Sequence, residues 1–248
     1  MKAHRVCKII AVATAISIFS GCFTPPTKTP MDVLTYEAKK GETQKYLFVL
    51  LRGMYGTNES FEKEGFIDAV RERGLPFDMV APDAHFGYYR ERNLEIRLKE
   101  DVIEPAKTKG YQKIWLVGVS MGGFGSMFYM RKFADDIDGV ILISPFLTKD
   151  KIPNQIAKAG GLRKWGAGKY TDKEWKLLFW DWIKEYDRRR NELAPIYLGY
   201  GRSDRYRAGQ EVLAQTLPPE RLFAIDGDHS ISTFKRLWDV MLDKVPFN

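Results

Sequence analysis

The sequence predicts an α/β protein: a mostly parallel sheet with helices on both faces and a long insertion with a helical stripe late in the chain. Three observations predict it. Short apolar runs alternate with longer segments of helical period. One junction between such segments reads Gly118-Val119-Ser120-Met121-Gly122, with glycines where a sharp strand-to-helix turn leaves no room for side chains. Residues 148–193, between two strand-like runs, are far longer than an ordinary crossover.

Residues 1–21 read as a leader outside the fold. Lys2, Arg5 and Lys8 precede the apolar stretch Ile9 to Phe19, which is too short to span a bilayer as a helix. The stretch ends Phe19-Ser20-Gly21-Cys22. Small residues before a cysteine resemble the lipobox of bacterial lipoproteins. That resemblance implies that Cys22 is lipidated and becomes the mature N-terminus. It also implies an anchor in the bacterial cell envelope, at the outer membrane because Phe23 is not the aspartate of an inner-membrane retention signal. An ordinary secretory signal cleaved nearby is the alternative. Cys7, the one other cysteine, lies in the leader, so Cys22 has no disulfide partner in the mature chain. Residues 22–43 read as an extended tether carrying Pro25, Pro26 and Pro30, with a possible edge strand over Met31 to Glu37.

The core is expected over residues 44–147 and 194–248. Tyr46 to Leu51, Phe77 to Ala81, Lys113 to Val117, Gly139 to Ser144, Pro195 to Tyr200 and Arg221 to Ile225 read as strands. Helices are expected near Ser60 to Arg73, Glu91 to Ala106, Met121 to Phe133 and Arg207 to Leu217. A last helix, Ile231 to Leu242, carries Ile231, Phe234, Leu237, Trp238 and Met241 on one face. Within the insertion, residues 148–193, Thr171 and Glu174 have capping-box spacing. Trp175, Leu178, Phe179, Trp182 and Tyr186 then form one helical stripe. Core packing of the insertion and the lining of an acyl pocket both fit that stripe. The stretch from Lys158 to Lys169 is basic and glycine-rich and is expected to be mobile.

The chemistry centres on Ser120. A tight turn holds its hydroxyl clear of the sheet, and the helix behind it offers unpaired N–H groups to a developing oxyanion. Of three histidines, His4 lies in the leader and His85 precedes the serine. His229 lies in Asp226-Gly227-Asp228-His229-Ser230, between the last strand and last helix, where it can reach the sheet edge that carries Ser120. Asp204 follows a strand end, where open α/β sheets build their sites. Asp228 and Asp150 are rival acids.

The turn at Ser120, the order Ser120, Asp204, His229 and the alternation of strands and helices resemble the α/β-hydrolase family over residues 44 to 246, which implies that the insertion at 148–193 forms a helical cap over the site. The resemblance implies a serine hydrolase that cleaves a carboxylic ester through an acyl-enzyme, with Ser120 as nucleophile, His229 as base and Asp204 orienting it. The oxyanion hole would be the N–H groups of Met121 and Met54. Met54 lies in the loop after the first core strand, where Arg52-Gly53 replaces the family's frequent His-Gly. The loop Asp83 to Arg90, with His85, Phe86, Tyr88 and Tyr89, is expected to wall the substrate pocket. No metal or organic cofactor is expected; the partners would be a small-molecule acyl substrate and, through the lipid, a membrane. The formal net charge is +7, and loss of the three leader cations leaves +4. Mixed signs at that balance argue against a nucleic-acid partner. The same triad would also serve a thioesterase, peptidase or acyltransferase, and the scaffold a non-catalytic, lipid-anchored binding protein.

Overall fold

A computed structural model describes residues 25–42, 44–149 and 151–247. The leader, Cys22 and the rival acid Asp150 lie outside the described residues. Seven strands form one sheet: β1 (Val33–Tyr36), β2 (Tyr46–Leu51), β3 (Phe77–Pro82), β4 (Lys113–Val119), β5 (Gly139–Ile143), β6 (Ile196–Gly201) and β7 (Leu222–Ile225). Their order is β1-β3-β2-β4-β5-β6-β7. Only β1 is antiparallel, with Val33 opposite Pro82, and every other pairing is parallel. The order reverses between β2 and β4, so the carboxyl ends of those strands open the crevice where such sheets bind ligands.

Alternation along the strands sorts side chains into two layers. Phe48, Leu50, Trp115 and Val117 pack with Phe66, Ile67 and Val70 of α2 (Phe66–Glu72) and with a carboxyl-terminal helix. Leu47, Val49, Leu51 and Leu116 face the opposite layer, which includes Met127 and Met130 of the helix following Ser120. Burial on both faces explains why the strands read as continuous apolar runs.

The helices are more broken than their periodicity predicts. The expected Ser60 to Arg73 helix is α1 (Ser60–Lys63) and α2, separated at Gly65 with φ 77°. The expected Glu91 to Ala106 helix begins earlier. It comprises α3 (Phe86–Glu91), α4 (Leu94–Leu98), a π-helical turn (Lys99–Ile103) and α5 (Glu104–Lys109), with a left-handed Arg92 between the first two. α6 (Met121–Lys132), α9 (Arg207–Ala214) and α10 (Ile231–Lys244) fall where expected.

Residues 148–193 contain α7 (Lys151–Lys158) and α8 (Trp175–Arg189). Thr171 does not cap α8. Glu174 reaches back to the Thr171 N–H at 2.9 Å, so the capping-box pattern marks the turn before the helix. The buried face of α8 is Phe179, Trp180, Ile183 and Tyr186, whereas Trp175 and Leu178 remain partly open. The stretch expected to be mobile is tied down. Leu162 and Trp165 are buried, Arg163 grips the buried Asp187 with two hydrogen bonds, and Lys184 donates to the Trp165 carbonyl.

The described part of the expected tether also packs on the body. The Lys28 N–H donates to the Tyr88 hydroxyl at 3.0 Å, the Met31 N–H to the Asp101 carboxylate at 2.9 Å, and the Asp83 N–H to the Asp32 carbonyl at 2.8 Å. Among the described residues no helix is long and apolar enough to cross a membrane.

Candidate active site

Ser120 sits between the end of β4 and the start of α6 with φ 52° and ψ −111°. A non-glycine residue held there stores roughly 1–3 kcal/mol of backbone strain. Its neighbours allow the turn. A side chain at Gly122 would place its first carbon 1.8 Å from the Leu51 carbonyl oxygen, and one at Gly118 would sit 2.5 Å from the Gly122 oxygen. The missing side chain at Gly122 therefore lets the end of β2 lie against the start of α6. The Phe146 N–H donates to the Ser120 carbonyl at 2.9 Å and ties the turn to the loop after β5.

His229 and Asp204 arrive on loops from neighbouring strands. The Ser203 N–H donates to the Gly227 carbonyl at 2.9 Å. A side chain at Gly201 would meet that carbonyl oxygen at 2.3 Å, so the two loops touch only because β6 ends in glycine. The result is a continuous relay. Ser120 Oγ lies 2.9 Å from His229 Nε2, and His229 Nδ1 lies 2.8 Å from Asp204 Oδ2. The imidazole stands edge-on to Tyr206 and Phe234, with ring centres 4.8 and 4.9 Å away. That packing fixes its plane.

The Asp204 side chain is fully buried. Burial opposes its ionisation, but hydrogen bonds from His229, the Tyr206 N–H and Gln210 outweigh that effect and hold its pKa below the usual aspartate value. The rival Asp228 is exposed and points away, accepting from Ser230 and Thr233, which lower its pKa.

Two cavities meet at this site. The first, about 910 Å³, is lined by Ser120, His229, Met54, Met121, Ile231 and Phe234 among others. Met54 and Met121 thus border the space in front of the serine hydroxyl. Among the described residues the Met54 N–H has no acceptor. The second cavity, about 940 Å³, shares Met54, Met121, Phe146 and Lys149 with the first but not Ser120 or His229.

The loop after β3 divides in two. Phe86 and Tyr89 line the second cavity, and the Tyr89 hydroxyl donates to the Met121 carbonyl at 3.1 Å. His85 and Tyr88 line neither cavity, contrary to the pocket role expected of them. Both are buried beneath the docked residues 25–28. His85 Nδ1 accepts from the Gly87 N–H and caps α3, and burial pushes its pKa below the usual histidine value. Aromatic content suggested a pocket wall, and only Phe86 and Tyr89 of the four line a cavity.

Sequence reasoning missed Tyr206, on the same loop as Asp204, and Phe146, beyond the end of β5, which flank the site. Their one signal is position: Tyr206 lies two residues after Asp204, and Phe146 just beyond β5. Arg52 is also clarified. It is buried, pairs with Asp83 at 3.1 Å, and lines the first cavity with an unpartnered Nε.

Residues 46–173 match the alpha/beta hydrolase fold family. No curated protein matches the sequence. Solved structures that resemble it include Est1E from Butyrivibrio proteoclasticus, 18% identical with a TM-score of 0.57, covering 86% of this chain and 93% of that one. A monoacylglycerol lipase from Paleococcus ferrophilus is 16% identical with a TM-score of 0.53, covering 86% and 99%. FphF, a fluorophosphonate-binding serine hydrolase of Staphylococcus aureus, is 11% identical with a TM-score of 0.60, covering 86% and 91%. At these identities the likeness concerns the fold. Sheet order and family match agree, and the chain belongs to the α/β-hydrolase family.

Proposed function

We propose that the protein is a serine hydrolase that cleaves carboxylic esters through an acyl-enzyme. One observation carries the reading: the Ser120–His229–Asp204 relay, with contacts of 2.9 and 2.8 Å, opens into a cavity bordered by Met54 and Met121. His229 takes the Ser120 proton as Oγ attacks the ester carbonyl. The N–H groups of Met54 and Met121 receive the oxyanion. As the tetrahedral intermediate collapses, the acyl–oxygen bond to the alcohol breaks and His229 gives its proton to the leaving oxygen. Water, deprotonated by His229, attacks the acyl-serine and releases the carboxylic acid, with the proton returning to Ser120 Oγ. Asp204 holds one tautomer of His229 and stabilises its cation throughout.

The names of two structural relatives support an ester substrate: a monoacylglycerol lipase and a fluorophosphonate-binding serine hydrolase. The test is labelling by a fluorophosphonate probe, followed by rates on ester, thioester and amide substrates of graded acyl length. Labelling that depends on Ser120, with esters turned over fastest, is the expected result. Absence of labelling on folded protein would refute the reading. For location, the leader residues motivate a lipid-anchored protein of the bacterial cell envelope, held through Cys22.

A further inference from the structure

The second cavity combines two features that belong together in a binding site. Its floor is aromatic: Phe86, Tyr89, Phe124, Phe128, Phe146 and Trp175. Phe124 is the hub, with ring centres of Phe128 at 4.5 Å, Trp175 at 5.2 Å and Phe146 at 6.1 Å. The aromatic surface continues to the catalytic base, because Phe146 packs on Tyr206 at 5.0 Å and Tyr206 on His229 at 4.8 Å.

The wall is cationic. Arg90, Arg92, Arg131, Lys132, Lys149 and Lys176 line it, against only Glu95 and Asp172. Among the described residues none of these six cations takes part in an ion pair, although Arg97 of α4, Lys99 of the π-helical turn and Lys107 of α5 all do. Arg131 Nε is in addition buried without a partner. A cluster of unpaired like charges repels itself and is relieved by an anion.

Position relative to the triad says which part of a substrate this cavity meets. The leaving alcohol takes its proton from His229, which lines only the first cavity. The carbonyl oxygen faces Met54 and Met121, which line both. The acyl group therefore extends past the oxyanion donors into the second cavity. We infer that this cavity binds the acyl half of the substrate, and that the preferred acyl group is an aromatic ring carrying an anionic substituent. The inference rests on the ester-hydrolase reading above. Hydrolysis adds one water across the acyl–oxygen bond and needs no other reactant.

The test compares two esters that share a leaving group: the 4-nitrophenyl monoester of terephthalic acid and 4-nitrophenyl benzoate. We expect kcat/KM to favour the anionic ester by about tenfold or more at low salt, the sum of several individually weak ion pairs. The ratio should shrink from about 0.01 M to about 1 M salt, as the Debye length falls from ~30 to ~3 Å. It should shrink again in a Lys132→Gln, Lys176→Gln double variant, whose exposed lysines leave packing intact. A ratio near one, or one unmoved by salt and by substitution, overturns the inference while Ser120-dependent hydrolysis of both esters upholds the enzyme. If neither ester is cleaved, binding to Ser120→Ala protein decides by fluorescence. 1-Anilinonaphthalene-8-sulfonate must bind more tightly than neutral N-phenyl-1-naphthylamine, with the margin lost in the double lysine variant. Equal affinities sink the anionic acyl site, whereas failure of fluorophosphonate labelling separately sinks the hydrolase reading.

Discussion

At the scale of single residues, the site depends on one strained backbone and two short contacts. Ser120 Oγ points into the cavity and its packing role is small, so Ser120→Ala should retain the fold while hydrolysis falls by several orders of magnitude. Circular dichroism and ester turnover on the same sample check this; near-native turnover would dismiss Ser120 as the nucleophile. The two aspartates near His229 should separate cleanly. Asp204→Asn offers an N–H where the ring needs an acceptor, a change that costs ~10⁴-fold in a comparable triad. Asp228→Asn changes only an exposed carboxylate bonded to Ser230 and Thr233, so its effect on kcat should be under about tenfold. Reversal of that ranking would give the orienting role to Asp228.

At the scale of elements, the aromatic contact between α6 and α8 holds the inserted segment on the core. Phe179 is fully buried against Phe124, Phe128 and Trp180, with ring centres at 5.1, 5.6 and 5.6 Å. Phe179→Ala should destabilise the protein by about 3–5 kcal/mol, read from the denaturant midpoint. A change below about 1 kcal/mol would mean that the segment does not share the core's stability. These elements also show what a sequence can reveal. The inner strands were legible almost to the residue because they are buried on both faces and bounded by turns, and the loops bearing Ser120, Asp204 and His229 followed from strand ends. Helix breaks were not, since the left-handed residues Gly65 and Arg92 interrupt runs whose apolar period continues. The roles of His85 and Tyr88 were misread because their covering partner, residues 25–28, lies about sixty residues upstream. Likewise the second cavity draws on α3, α6 and α8, and no local pattern joins them.

At the scale of the whole molecule, three buried or half-buried carboxylates make stability sensitive to acid. Asp187 is held below the usual aspartate value by its hydrogen bonds from Arg163 and then by Arg190. Burial raises Asp136 and Asp204, but hydrogen bonds from Lys107, Lys99 and Tyr129 in one case and from His229 and Tyr206 in the other outweigh it. A carboxyl with a depressed folded pKa contributes stability that is full above about pH 4, the unfolded aspartate value, and is lost as pH falls through the folded values. The denaturant midpoint should therefore drop as pH falls below about 4, and Asp187→Asn should flatten that slope. An unchanged slope in the variant would remove Asp187 from the account. The proposed anchor is tested at the same scale. Cys22→Ser should abolish metabolic lipid labelling and stable lipid anchoring, and mass spectrometry of the N-terminal peptide identifies the modification. An unmodified N-terminus elsewhere would refute the lipoprotein proposal and leave the hydrolase proposal standing.

The docking of residues 25–32 on Tyr88, Asp83 and Asp101 would set the length of a leash if the proposed anchor is present. With the Pro25 carbonyl beside Gly87, three residue steps reach back to Cys22, at most about 10 Å of chain. A lipid on Cys22 would then hold the catalyst within about one nanometre of the bilayer, with the face that carries residues 25–28 toward it. An ester hydrolase held so would sample a two-dimensional field of substrate rather than the bulk, and its rate would follow the surface density of ester in the membrane. Tyr88→Phe removes the bonds to Lys28 and would lengthen such a leash without touching the triad.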